Sequence, residues 1–492
     1  MRKIIIAPLF IGLLIIGLAS TSQASGIAVS SAGVRAVSLG GAYRALSGDW
    51  SGGYWNPAGL TQVKNWNIGG SLSFIAPEAK LTLFPYQGHR LFGFAYRQAT
   101  SKPKTFIIPN LGAVKTLSNG LSVGLGVFVP FGLGSTWDLY NPVPGFGNKE
   151  NYPKYDNVSN SQVLDFHLSL AYPITEKFSV GGGFGVLHTT LSMEQTSVTK
   201  IASLNPMLAP LAIAPHEHFP AQQKLDASGL SYSVSFGLQF KATEKLKLGL
   251  AARYYTDVPL KGSITADAYF PYDKGALNTL AGLHQAGALS DPEYAVASTL
   301  FSGNKEEIIN QDDIEASMPL PLNLGAGVAF RPTDKLLISA DVEFTQWSVW
   351  DKIDVKDSLS VKIHGGVISK MKTELKENWS DGIRYNLGLE YTLMKSADRD
   401  MVMRLGYHYD PSPIPDSSIG PSIPDITVKN AVTAGLGYTV GKITVNAVYS
   451  HIFIPSRDVN KWILEPNGNN ENWAGHYEVT DNEFHIGLAY NF

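Results

Sequence analysis

The feature that most constrains this chain is an alternation of residue types at every second position, repeated in segment after segment. In residues 384–391, 401–408 and 484–492, large apolar or aromatic side chains alternate with mostly small or polar ones. Strict alternation indicates β-strands, because successive side chains of a strand leave opposite faces of the pleat. A soluble sandwich would show Lys, Glu and Thr on the second face, whereas a small and polar second face suits the lumen of a membrane barrel.

The connections between these strands come in two lengths that alternate along the chain. Short polar turns join strand pairs at 118–120, 175–177, 243–245, 333–335, 395–400 and 440–442. Much longer segments separate the pairs at 131–161, 191–226, 257–317, 347–379, 410–427 and 453–481. Outer-membrane barrels have short periplasmic turns and long extracellular loops. The pattern therefore predicts an all-β fold, a transmembrane antiparallel up-and-down β-barrel.

The number of strands follows from the hairpins. The six hairpins supply twelve strands, residues 482–492 supply one, and residues 66–98 supply one or three. The total is 14 or 16, and an even number leaves both ends of the barrel on the periplasmic side. The barrel has to close, because an open sheet edge in lipid leaves backbone groups without hydrogen-bond partners.

Composition agrees with a membrane barrel and excludes several kinds of site. Charged residues make up 16% of the chain, against about 25% in soluble proteins. The chain has no cysteine, so it can form neither disulfides nor thiolate metal sites. Its net charge of −3 gives no support for nucleic-acid binding. No cofactor is predicted.

The amino terminus indicates export. Arg2 and Lys3 precede an apolar run over residues 4–19, and small residues lead to a cleavage site after Ala24. Residues 1–24 are therefore predicted to be a signal peptide, with residues 65–492 as the barrel. No later window reaches the ~20 apolar residues that a membrane-spanning helix needs, which excludes a helical membrane protein. The predicted location is the outer membrane of a Gram-negative bacterium.

Residues 25–64 do not alternate and are predicted to form a hatch inside the barrel. They combine many small residues with Tyr43, Trp50, Tyr54 and Trp55. Small residues allow tight packing in a confined space, and a wide barrel has a lumen to fill. The alternative is a flexible periplasmic tail, which the aromatic content disfavours.

Several motifs, in order along the mature chain, resemble the FadL/TodX family of outer-membrane transporters for long-chain fatty acids and aromatic hydrocarbons. They are Gly40-Gly41-Ala42-Tyr43, Asn56-Pro57-Ala58-Gly59-Leu60, residues 126–134 with Trp137, Leu320-Pro321, residues 330–335, Trp347-Ser348, Asn378-Trp379 and residues 404–407. The resemblance implies 14 strands, an amino-terminal hatch and passive uptake of hydrophobic molecules. It also implies that the turn Asn56, Pro57 and Ala58 lies beside a sideways opening of the wall. A general porin and an outer-membrane lipid hydrolase are the alternatives.

Two predicted extracellular loops, 191–226 and 257–317, are unusually apolar for a surface that faces water. Contiguous apolar patches on a surface commonly mark binding sites. The candidate ligand-binding residues of this loop groove are Leu204, Met207, Leu208, Leu211, Phe219, Leu277, Leu280, Leu283, Leu300 and Phe301. The alternative is that these side chains only pack the loops against one another.

Arginines that face the lumen are candidate partners for a fatty-acid carboxylate, because arginine can bind a carboxylate with two hydrogen bonds. They are Arg97, Arg253, Arg331, Arg384 and Arg404. Pairing with lumen acids such as Glu390 is the alternative role. The sequence predicts no catalytic residue and no metal ligands.

Nothing in the residues separates a fatty acid from an aromatic or aliphatic hydrocarbon as the ligand. The other predicted partners are outer-membrane lipid and, through the terminal Phe492, the barrel assembly machinery. The chain is predicted to work as a monomer.

Overall fold

The structure is a computed structural model that describes residues 26–29, 31–84, 96–141, 152–422, 427–459 and 473–492. The predicted signal peptide lies outside these residues. The strands are β1 (Trp66–Leu83), β2 (Gln98–Thr100), β3 (Phe106–Thr116), β4 (Ser122–Trp137), β5 (Asn157–Pro173), β6 (Phe178–Lys200), β7 (His218–Lys241), β8 (Leu246–Tyr255), β9 (Val258–Tyr269), β10 (Lys305–Met318), β11 (Asn323–Phe330), β12 (Leu336–Thr345), β13 (Lys352–Ile363), β14 (Gly366–Lys376), β15 (Gly382–Lys395), β16 (Arg399–Asp410), β17 (Lys429–Val440), β18 (Ile443–Phe453), β19 (Arg457–Val459) and β20 (Gly475–Asn491).

The helices are short and lie either before β1 or between later strands. The α-helices are α1 (Val34–Ser38), α2 (Gly52–Trp55), α3 (Ile201–Leu204), α4 (Lys274–Gln285) and α5 (Asp291–Thr299). The 3-10 turns are Pro57–Gln62, Pro206–Leu208, Trp347–Val349 and Asp416–Ser418. Within the part of the chain that the structure describes, no helix has the length and apolarity needed to cross a bilayer.

Fourteen strands form a closed antiparallel barrel, which confirms the predicted fold class. The ring runs through β1, β3, β4, β5, β6, β7, β8, β11, β12, β15, β16, β17, β18 and β20. It closes where β20 pairs with β1, from Asn67 opposite Asn491 to Leu83 opposite Gly475. The six short turns predicted from the sequence all join neighbouring strands of this ring. In the described part of residues 66–98 the wall strand is β1, and the ring has 14 strands rather than 16.

The wall rises above the ring on one side. Strand β9 pairs with the upper part of β7, and β10 pairs with β9. The hairpin of β13 and β14, which contacts β10 through β13, extends the wall further. Segments predicted as loops are therefore largely strand, since β6 continues to Lys200 and β7 starts at His218. Outside the bilayer both faces of a strand meet water or other loops, so the apolar alternation that marks a strand in lipid is lost.

The wall is apolar on its outer face and polar on its inner face, the reverse of a soluble protein. On β5, Phe166 is 51% exposed and Leu168 is 43% exposed, whereas Asp165 before them and His167 between them are 0% and 2% exposed. An outer surface of large apolar side chains around a polar interior is stable only if lipid covers the outside.

Residues 31–63 lie inside the ring, because their hydrogen bonds reach strands on different sides of it. The backbone N–H of Trp50 donates to Asn67 of β1 (2.7 Å), and Thr433 of β17 donates to the carbonyl of Ser38 (3.1 Å). The backbone N–H of Tyr43 donates to Asp341 of β12 (3.0 Å). We call residues 26–63 the hatch.

Candidate functional site

Two hatch arginines hold this segment to the wall through buried ion pairs. Arg44 lies 3.3 Å from a carboxylate oxygen of Asp341 and 2.6 Å from one of Glu343, both on β12. Arg35 lies 3.0 Å from a carboxylate oxygen of Glu390 on β15. Charges removed from water need such partners, so these pairs fix the hatch in one position.

Four of the five arginines predicted as carboxylate partners do not line the cavity that reaches the wall, described below. Arg253 donates to Asp165 (2.8 Å) and to the hatch carbonyls of Gly53 and Tyr54 (2.7 and 3.0 Å). Arg404 pairs with Glu390 at 2.7 Å, the alternative that the sequence left open. Arg331 is 40% exposed at its side chain and Arg97 is exposed beside β2. Only Arg384 lines the cavity described below.

The turn Asn56-Pro57-Ala58 is buried against two paired glycines of the wall. Asn56 donates to the carbonyl of Leu238 on β7 (3.0 Å) and accepts from the N–H of Ala58 (3.1 Å). A Cβ at Gly181 would lie 2.5 Å from the Ala58 nitrogen, and one at Gly237 would lie 2.0 Å from Asn56 Oδ1. Only glycine lets β6 and β7 accept the turn this closely.

Between β3 and β4 the wall loses its strand pairing partway along the two strands. These strands pair from Thr116 opposite Ser122 up to Leu111 opposite Val127, and no further. Above that point β3 still pairs with β1, and β4, after an irregularity between Phe128 and Phe131, still pairs with β5. We call the unpaired stretch, residues 106–109 of β3 and 130–135 of β4, the window.

The start of the hatch lies against β4 at the window. The N–H of Val29 donates to the carbonyl of Pro130 (2.9 Å), and the N–H of Gly132 donates to the carbonyl of Ile27 (3.0 Å). The side chain of Asn110 joins three elements: it accepts from the N–H of Val129 (3.2 Å) and donates to the hydroxyl of Ser31 (3.1 Å). Hatch residues 27–29 and Ser31 therefore border the unpaired wall, whereas the Asn56 turn lies against β6 and β7.

One cavity of about 380 Å³ connects the lumen with the window. At the window it is lined by Phe106, Ile107 and Ile108 of β3 and by Gly132 and Gly134 of β4. Ile107 is 57% exposed, so this end of the cavity reaches the outer face of the wall.

The far end of the cavity is polar. It is lined by Arg384, His408, Asp410, Lys429, Asp481 and Glu483. Arg384 donates to Nδ1 of His408 (3.0 Å) and to Asn386 (2.8 Å), and it lies 3.5 Å from a carboxylate oxygen of Asp410. Because the arginine can only donate, His408 has no proton on Nδ1. The cavity is thus amphipathic, with more carboxylates than cations at its polar end.

The apolar residues predicted for the loop groove mostly form a packed core above the barrel. Leu208, Phe219, Leu280, Leu300 and Phe301 are buried, and Leu204, Leu211 and Leu277 pack partly buried against the same cluster. Two members of the predicted set are open to solvent, Met207 at 72% and Leu283 at 41%. Packing is therefore one role of this set, and contact with a ligand stays a prediction.

An aromatic cluster at the extracellular side of the hatch was not predicted as a site. Trp347, Trp350 and Trp379 are buried with ring centroids 4.6 to 6.4 Å apart, and Phe131 of β4 packs on Trp347 at 6.1 Å. Gly26 lies directly on the cluster, since a Cβ there would be 2.6 Å from the Trp379 ring. Three tryptophans within 33 residues are the sequence signal that could have indicated it.

A Ser/His/Asp arrangement that the sequence analysis did not predict lies under the hatch. His167 has Nε2 at 2.9 Å from the Ser235 hydroxyl and Nδ1 at 3.3 Å from Asp165. The adjoining cavity measures only about 50 Å³ and is walled by the hatch residues Tyr54 and Trp55. A space of that size takes a few water molecules. Because Arg253 joins Asp165 to hatch carbonyls, the cluster serves to hold the hatch.

Comparisons with known proteins match this architecture along the whole chain. The family model described as "Outer membrane protein transport protein (OMPP1/FadL/TodX)" matches residues 15–492. A relative from Escherichia coli, the "Long-chain fatty acid transport protein", is 24% identical over 420 residues, which cover 80% of each chain.

Solved structures show the same fold. A Pseudomonas aeruginosa FadL homologue superposes with a TM-score of 0.67 at 18% identity, covering 95% of this chain and 100% of that one. The P. putida toluene transporter TodX superposes with a TM-score of 0.64 at 16% identity, covering 96% and 99%. At these identities the structural likeness establishes the fold alone.

Proposed function

Because this chain belongs to the outer membrane protein transport protein family (OMPP1/FadL/TodX), we propose that it takes up hydrophobic compounds passively across the outer membrane. The observation that carries the proposal is the cavity of about 380 Å³ that runs from the lumen to the window. A cavity of this volume is in the range of sites that hold small apolar molecules.

The proposed route enters from the extracellular loops, passes through the cavity and leaves sideways at the window into the bilayer. Met207 and Leu283, the exposed members of the loop groove, are the proposed first contacts. Lateral release keeps an apolar solute out of water, where exposing its surface would cost about 25 cal/mol per Å². The turn Asn56, Pro57 and Ala58 supports the route by fixing the hatch beneath the cavity, while residues 27–29 and Ser31 border the exit.

Two ligand classes fit the cavity and differ in what they need at its polar end. A long-chain fatty acid needs a cation for its carboxylate, and Arg384 is the proposed partner, although Asp410, Asp481 and Glu483 line the same end. An aromatic or aliphatic hydrocarbon needs only the apolar lining. Replacing Arg384 with Gln separates the classes: palmitate uptake should fall while toluene uptake stays unchanged if the arginine binds a carboxylate.

The route is tested by closing the window with a disulfide. The chain contains no cysteine, so a Phe106→Cys/Gly134→Cys variant carries only the introduced pair. Uptake of radiolabelled palmitate and toluene is measured in cells that lack and regain the chain, with the variant oxidised or reduced. We expect uptake to require the chain, to stop on oxidation and to return on reduction. Equal uptake in both redox states would refute lateral release.

The alternatives make different demands. A general porin needs an open bore, whereas here buried ion pairs hold the hatch inside the ring. Deleting residues 26–60 should raise ion conductance if the hatch blocks the bore.

A lipid hydrolase would need an accessible nucleophile, and Ser235 is 4% exposed. We therefore propose a transport protein without catalytic activity that works as a monomer, since cavity and window lie within one chain.

We also propose that Phe492 serves barrel assembly. Its ring is 53% exposed, and its backbone N–H donates to the carbonyl of Trp66 (3.1 Å). Phe492→Ala should lower the amount of folded barrel, measured by its heat-modifiable migration in gels. Phe453→Ala is the matched control, because Phe453 is also 53% exposed but lies in β18.

A further inference from the structure

We infer that the ring of Phe106, packed against Gly134, sets the width of the window and thereby decides which hydrophobic molecules pass. Phe106 is thus a specificity-determining residue of this chain. The inference rests on the proposed lateral release and adds to it the side chain that limits the size of the solute.

The ring of Phe106 crosses the stretch where the two strands do not pair. A Cβ at Gly134 would lie 2.3 Å from Cε1 and 2.5 Å from Cζ of this ring. Such distances mean that the ring lies directly on the Gly134 backbone. Any side chain at position 134 would occupy the space that the ring fills. Phe106 and Gly134 also both line the cavity, so the ring stands between the lumen and the outer face of the wall.

The frame around the ring is fixed by hydrogen bonds. At its lower edge, Asn110 accepts from the N–H of Val129 (3.2 Å). At its upper edge, the N–H of Lys102 donates to the carbonyl of Thr136 (2.7 Å). The height of the window is therefore set by these two hydrogen bonds.

The Phe106 ring, by contrast, is not held by a hydrogen bond. It packs against the Gly134 backbone, and the ammonium of Lys104 lies 4.9 Å from its centroid. A phenylalanine side chain turns about two torsion angles. The ring can rotate away from Gly134 without breaking a hydrogen bond. It is therefore the part of the window's border that moves aside for a passing solute.

Neighbouring side chains do not have this position. Ile107 points outward to the lipid face and is 57% exposed. Ile108 is buried on the same side of β3 as Phe106 but lies nearer the Asn110 edge. Phe106 is therefore the side chain whose size should change the cross-section most.

The test measures selectivity rather than total uptake. Proteoliposomes or cells with the wild type, Phe106→Ala or Phe106→Trp take up two probe pairs, palmitate against 12-(1-pyrenyl)dodecanoate and toluene against pyrene. For each pair that the wild type transports, we expect Phe106→Ala to raise the ratio of bulky to slim probe by at least about ten-fold, the lower limit of discrimination by one methylene group in an apolar pocket. Phe106→Trp should lower uptake of both members.

Phe166→Ala is the matched control, because it removes the same ring from the lipid face of β5 and should leave the ratio unchanged. Heat-modifiable migration confirms that each variant is folded, and Phe106→Leu gives an intermediate ratio if the alanine variant fails to assemble. If the wild type transports a pair but Phe106→Ala and Phe106→Leu keep its ratio, the inference is wrong and the proposed function stands. If the wild type transports neither pair, both fall together.

Discussion

Removing Arg44 should loosen the hatch by an amount that the structure allows to be worked out. The Arg44 and Asp341 side chains are 4% and 1% exposed, and that of Glu343 is 15% exposed. Removing one partner of a buried ion pair leaves an uncompensated charge and costs about 3–5 kcal/mol. Asp341 would keep the N–H groups of Tyr43 and residue 44, at 3.0 and 2.9 Å. We therefore expect Arg44→Ala to cost about 3 kcal/mol, the lower limit of that range.

Hydrogen–deuterium exchange of the hatch amides is the assay, with Tyr43 as the reporter because its N–H donates to Asp341. A loss of about 3 kcal/mol speeds exchange from the opened hatch roughly 100-fold. Arg331→Ala is the control: it lies 3.9 Å from Glu390 with a side chain 40% exposed, and such surface pairs contribute about 0–1 kcal/mol.

A neutralised variant separates the lost charge pair from lost packing. Arg44→Met combined with Asp341→Asn and Glu343→Gln leaves no uncompensated charge, so it should recover most of the protection. Exchange at Tyr43 that is equal in Arg44→Ala and wild type would refute the assignment of hatch stability to this ion pair. So would a triple variant that is as loose as the single one.

Three further predictions concern single groups. Asn110→Ala leaves the buried N–H of Val129 without a partner and should destabilise the hatch end by about 1–3 kcal/mol; exchange of hatch amides checks this, and unchanged rates would contradict it. Burial raises the pKa of Asp156 to about 7, so its contribution is fully present below the ordinary carboxyl pKa and is lost as pH rises towards 7; the protease resistance of wild type relative to Asp156→Asn should fall over that range, and a flat ratio would be inconsistent with it. Pure protein should hydrolyse p-nitrophenyl butyrate only at the background rate, and Ser235→Ala should not change this; a wild-type rate that the variant loses would favour the hydrolase.

The sequence predicted the parts of the fold whose residue pattern is determined by contact with lipid. The short turns at 118–120 and 440–442 could be identified because strands in a bilayer carry an apolar outer face, which makes their ends visible. The extensions β9, β10, β13 and β14 were assigned to loops, since strands above the membrane show no such face. The 14-strand total needed the pairing of residues 66–83, which alternation alone left open.

The candidate site was less predictable, because its groups come together only through closure of the barrel. Arg404 pairs with Glu390, the acid that the sequence analysis names, directly across the β15–β16 hairpin. Arg253 of β8, by contrast, pairs with Asp165 of β5, which lies three strands away in the ring. Position along a strand gives the face of a side chain but not its neighbour across the lumen. The window was also hidden in the sequence, since it depends on two strands that stop pairing while each stays paired to its other neighbour.

The window can exist in a bilayer only because its backbone groups are satisfied from inside. An unpaired N–H or C=O in lipid costs several kcal/mol, and Pro109 and Pro130 bring no N–H to the two strand edges. The N–H of Val129 is taken by Asn110, and the hatch supplies partners for the carbonyl of Pro130 and the N–H of Gly132. Moving the hatch away would leave the carbonyl of Pro130 and the N–H of Gly132 unpaired, whereas turning the Phe106 ring breaks no hydrogen bond. Passage through the window should therefore need a side-chain movement with the hatch in place, and not its withdrawal.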